Sequence, residues 1–189
     1  MIDLPTDSLF ARPRARDTPT VSRYSWGMNG LGQVAAEIAD REFDGRSYNG
    51  PSFMVTLRAA SIDQVISTET LEGYSIYGVA LHVLYCKYQM MRALGVDPEP
   101  FPFEEVDFPP VPADADVASW ERLLGLLSDY HARINTAAAA LGPDELDVVF
   151  PLWRTTRRDL LLWYVTHDTY HTAQIRNMGV PGLEFRARA

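Results

Sequence analysis

WYVTHDTYHTAQIRN, Trp163–Asn177, is the stretch on which the fold turns. It has the spacing of an amphipathic helix: at 100° per residue, Trp163, Tyr164, His167, His171, Gln174, Ile175 and Met178 fall within about 60° of Leu160. Two of these are histidines four residues apart, so their side chains stack one turn apart on the stripe expected to face the core. A buried imidazole needs partners for both ring nitrogens. Such a pair is either a costly piece of packing or part of a ligand set, because stacked imidazoles can reach one zinc ion at about 2.0–2.1 Å.

Outward from this stretch, the helical period dominates the chain. The helix that carries it is predicted from about Thr156 to Met178, with Gly179 and Pro181 as stop signals. Another runs from about Val117 to Leu141, with Trp120, Leu123, Leu124, Leu127, Ile134 and Leu141 on one stripe. Ser75 to Leu94 is apolar nearly all round and so is expected at the centre. Leu31, Val34, Ala35 and Ile38 mark an earlier piece; DGRSYNGP interrupts it before Phe53, Met54 and Leu57 resume the pattern. Ser61 and Gln64 have capping-box spacing, and VVF at 148–150 is the one fragment with a strand-like look.

Between two of these helices lies VDPEPFPFEEVDFPPVPADAD, Val96–Asp116, whose six prolines forbid a continuous helix. It carries seven acids and no base, and reads as a solvated crossing connection that Phe101, Phe103 and Phe108 can pin to the surface. Connections of this length also cover active-site mouths. The expectation is an all-α protein, a four-helix bundle with a long crossing connection. Residues 26–182 form its single domain, between a loosely packed tail at 1–25 and a C-terminal tail at 183–189.

A chain of 189 residues suffices for one self-supporting core. Its net charge of -8 argues against nucleic acid and anionic membrane as partners, since the summed field repels both. The longest apolar run, Ile76–Cys86, is too short to span a bilayer. Cys86 is the sole cysteine, so no intrachain disulfide can form. With no signal-peptide pattern in the first residues, a cytoplasmic location is expected.

A third metal ligand has two candidates. His82 shares a stripe with Val79, Cys86 and Ala93 on the most apolar helix, and is preferred. His131 lies at the edge of its helix's stripe and is read as hydrogen-bonded to water. Cys86, one turn after His82, can offer sulfur but is read as a small buried hydrophobe. Of the residues beside the histidine stripe, Asp168 can accept from a ligand imidazole on a neighbouring helix, and Tyr170 can line a pocket or donate a proton. These two are the candidate catalytic residues, and each has the plainer alternative of a surface acid or a packed tyrosine.

HDTYHTAQI (167–175) resembles the His-Asp-x-Tyr-His-x-Gly-Gln-Ile signature of the DinB/YfiT-like superfamily of metal-binding four-helix-bundle proteins. GYSIYGVALHVLY (73–85) resembles that family's Ser-Ile helix with one ligand histidine, and YNGPSFMVTL (48–57) its Gly-Pro lead into a helix; the likeness covers about residues 30–180. It implies a divalent metal on His82, His167 and His171, the three that the helical wheel selects. Zinc or nickel is expected before iron or manganese, since imidazole suits all four. Ala173 replaces the family's glycine, and Tyr77-Gly78 stands where relatives have an aromatic residue and glutamate. The resemblance further implies a thiol-dependent S-transferase or a related hydrolase acting on a small molecule, with a low-molecular-weight thiol as co-substrate. A non-catalytic metal-binding or ligand-sensing bundle is the alternative, and the choice between monomer and homodimer stays open.

Overall fold

The computed structural model describes residues 30–185, so the expected tail at 1–25 and the end of the expected C-terminal tail lie outside the described residues. Among the described residues there are six helices: α1 (Leu31–Phe43), α2 (Phe53–Leu57), α3 (Ile62–Ile66), α4 (Ile76–Ala93), α5 (Val117–Ala140) and α6 (Arg157–Asn177). A single turn of 3-10 helix, Pro143–Glu145, precedes two short antiparallel strands, β1 (Val149–Phe150) and β2 (Thr155–Thr156). The protein is all-α, with the four long helices in a bundle: α1 and α4 each pack against both α5 and α6.

Local chemistry sets where the helices begin, and hence the height of each side chain in the bundle. Ser75 Oγ accepts from Gly78 N at 3.0 Å to start α4. Asp116 and Ser119 form a reciprocal box at the start of α5, and Thr156 Oγ1 accepts from Asp159 N to start α6. The Ser61–Gln64 box does the same for α3. Along α4 only Gly78, Tyr85 and Arg92, seven residues apart, escape burial, which makes it the central helix its composition predicts.

In α1 the buried face is small rather than bulky: Gly32, Ala35, Ala36 and Ala39, ending in Phe43. Small residues let α1 approach α5 closely. A Cβ built at Gly32 would overlap the Ala138 carbonyl oxygen, which belongs to helix backbone and cannot swing away. Gly32→Val is therefore expected to lower the unfolding free energy by about 1–3 kcal/mol or more, measured by urea titration.

The connection over 96–116 carries no helix or strand up to the start of α5, as its prolines require. It is less solvated than its acidity suggests. Phe101 is buried between Tyr85 and Tyr88, with ring centroids at 5.7 and 5.1 Å, and Phe103 packs edge-on against Phe101. The strand-like fragment at 148–150 is the first half of a hairpin whose tip presents Trp153. Among the described residues no helix is long and apolar enough to cross a membrane.

Candidate metal centre

Helices α4 and α6 pack together and bring three histidine rings into mutual contact. His82 lies 5.5 Å from His167 and 4.8 Å from His171, centroid to centroid, and the two α6 rings are 4.5 Å apart. His82 donates its Nδ1 proton to the Asp107 carbonyl oxygen at 2.7 Å, and His171 donates its own to Gln174 Oε1 at 2.8 Å. Gln174 Nε2 is anchored in turn on Glu72 at 2.7 Å. Holding Nδ1–H in this way leaves the Nε2 lone pairs of His82 and His171 free for a cation. The Nε2 atoms of His167 and His171 are 3.1 Å apart, so in the metal-free protein one ring donates its proton to the other.

A fourth donor joins the group. Cys86 Sγ lies 3.7 Å from His82 Nε2, and donor atoms of His82, Cys86 and His167 all fall within 4.8 Å of one another. Two donors on one tetrahedral zinc stand roughly 3.3–3.8 Å apart, given zinc–nitrogen and zinc–sulfur bonds of about 2.0–2.3 Å. The spacings of 3.1 and 3.7 Å are close to that, so the residues present fit a divalent ion. Their protonation is also suitable. Burial pushes His167 down to about 2 and His171 to about 4, so both are neutral, lone-pair donors at neutral pH. Burial pushes the Cys86 thiol up to about 12, so without a cation it keeps its proton.

The histidines form one end of a cleft of about 1060 Å³. Phe108, from the proline-rich connection, stacks on His82 at 4.2 Å with the planes 10° apart, and Trp163 covers His167 at 4.2 Å. Tyr170 lines the same cleft, edge-on to His171 and largely exposed. Asp107, Phe108, Gln174, Glu72 and Trp153 all belong to this cleft. Sequence reasoning gave the first two to a solvated loop; the signal that could have found them was an aromatic residue placed among acids and prolines.

Asp168 departs from expectation. It is neither a surface acid nor an acceptor for a ligand imidazole; it is buried and accepts from Lys87 Nζ at 2.8 Å, away from the cleft. The reason is that the buried face of α6 contains Leu160, Leu161, Tyr164, Asp168, His171, Thr172 and Ile175, so that its centre is rotated by roughly 60° from the stripe centred on Leu160. Trp163, His167, Tyr170 and Gln174 then face the cleft, and His171 sits on the border between cleft and core.

His131 also departs from the reading of an edge residue bonded to water. It is buried, stacked on Phe43 at 3.9 Å, with Nδ1 2.8 Å from the Tyr164 hydroxyl and Nε2 3.0 Å from Asn135 Nδ2. Lys87 Nζ lies 3.4 Å from its Nδ1 and also over the Phe43 and Tyr164 rings, at 4.7 and 4.9 Å. Burial first, and the Lys87 charge second, push His131 down to about 2.

His131, His167 and His171 give the metal-free protein a signed pH dependence. Unfolded, each binds its proton near pH 6.5; folded, each stays neutral far below that. Below pH 6.5 the unfolded chain therefore holds more protons, so stability is full above that value and falls as pH falls. The urea midpoint is expected to drop between about pH 7.5 and about pH 5. His131→Gln, with one titrating group fewer, should show a smaller drop.

Compared with known protein families, the chain matches the sequence model described as DinB superfamily over residues 3–175. No curated protein and no solved structure matches it.

Proposed function

The chain belongs to the DinB superfamily, and on that premise we propose that it is a divalent-metal-dependent enzyme acting on a small molecule, with His82, His167 and His171 as the metal ligands. The observation that carries this reading is that all three histidines line an open cleft of small-molecule size instead of a sealed core. Asp107 and Gln174 orient two of the imidazoles through their Nδ1 protons, while Phe108 stacks on His82 and Trp163 packs at a tilt against His167. A bound ion would supply Lewis acidity, bringing the pKa of a water or thiol toward neutrality. Tyr170, at the cleft wall beside His171, is the side chain placed to hand a proton to a leaving group. Thiol-dependent S-transfer and hydrolysis are the two reactions that this chemistry serves.

The nearness of Cys86 favours a second reading. If its sulfur joins three imidazoles the set is closed, as in structural zinc sites, and the bundle would sense or be braced by the ion instead of using it. Cobalt(II) loading separates the two. An enzyme with an open position should show visible bands that shift when azide is titrated in. A spectrum indifferent to azide, with a sulfur-to-cobalt charge-transfer band that disappears in Cys86→Ser, would support the closed set and sink the catalytic reading.

A further inference from the structure

Two columns of aromatic rings run along the cleft, and each ends on a histidine. Tyr74 stacks on Phe108 at 5.3 Å, and Phe108 on His82 at 4.2 Å. Trp153 meets Trp163 at 5.3 Å, and Trp163 meets His167 at 4.2 Å. Tyr74 and Phe108 are both over 40% exposed, so ring surface remains available to a ligand. Three carboxylates, Glu72, Asp107 and Asp159, line the same cleft, and no lysine or arginine does among the described residues. Their recorded partners are uncharged or imidazole groups: Gln174 for Glu72, His82 for Asp107, Thr156 for Asp159. Of the arginines near the cleft, Arg157 is held by the Ala93 carbonyl and Glu145 and Arg158 by Asp147, while Arg154, between Trp153 and Thr155 at the hairpin tip, is exposed and is not part of the lining.

From this lining we infer that the ligand of the cleft is a small organic cation, an amine on a flat apolar body. Ring faces attract a cation through their quadrupoles, and carboxylates that no basic side chain neutralises give the mouth a negative field that favours the same charge. A carboxylate-bearing ligand, including a polyanionic thiol, meets that field with the wrong sign. The inference rests on the cleft being the substrate site, as proposed above, and narrows the thiol co-substrate to a neutral or amine-bearing one.

Phenethylamine, phenethyl alcohol and phenylacetate share a body and differ in charge, and Trp153 and Trp163 report binding by their fluorescence. With calorimetry as a second readout, on the metal-free protein, phenethylamine is expected to bind about tenfold more tightly than phenylacetate, with the alcohol between. Asp159→Asn should shrink the amine-to-acid ratio while leaving the alcohol unchanged. Phenylacetate binding to the metal-free protein as tightly as the amine, or no saturable amine binding, overturns the inference. Failure of the protein to take up a metal would instead sink the proposed centre, and the amine preference of the metal-free protein would still stand.

Discussion

Lys87→Met is expected to lower the unfolding free energy by about 3–5 kcal/mol, the largest loss of any single change away from the cleft. Lys87 and Asp168 are each about 2% exposed and form an ion pair at 2.8 Å between the two helices that carry the histidines. Burial pulls both toward neutrality, lowering the ammonium and raising the carboxyl, and each charge is held by the other. Removing one partner leaves the other charge in an apolar interior. Removing both does not, so Lys87→Met combined with Asp168→Leu should be markedly more stable than Lys87→Met alone in a urea titration. A double variant as unstable as the single one would mean that the loss comes from packing instead.

His171→Ala is expected to weaken zinc binding by several orders of magnitude, while Gln174→Ala, which frees the imidazole without removing it, should cost about 10–100-fold. The ordering follows from the relay in which Glu72 fixes Gln174 and Gln174 fixes His171 Nδ1. Competition against a chelator of known affinity reads both. Equal losses for the two variants would show that the ring is not a direct ligand. Stability in urea should change little in Gln174→Ala, whose side chain lies at the cleft rather than in the core.

Most of the architecture was readable from the sequence because helix starts and stops are local. Ser75, Asp116 and Thr156 mark the starts of α4, α5 and α6 by hydrogen bonds within three residues. The hydrophobic period also identified α4 as central. Facing is less local. A wheel centred on Leu160 placed His167 and His171 at the middle of the buried stripe and Asp168 beside it, because Trp163 counts as apolar wherever it points. The structure turns Trp163 to the cleft and buries Asp168, which a periodicity count treats as polar and therefore outside. His131 was misplaced for the same reason: its neighbours Phe43 and Tyr164 come from other helices, and no pattern within α5 announces them. Asp107 and Phe108 reach His82 from 25 and 26 positions along the chain, through a segment with no period at all.

Elemental analysis of protein purified without a histidine tag, set against His82→Ala prepared in the same way, bears most directly on the metal centre. Stoichiometric zinc or another divalent transition metal in the wild type, lost in His82→Ala while circular dichroism shows the bundle intact, is the predicted result. A metal-free wild type that also fails to take up zinc, nickel, iron or manganese on dialysis, or equal metal in both proteins, would contradict it.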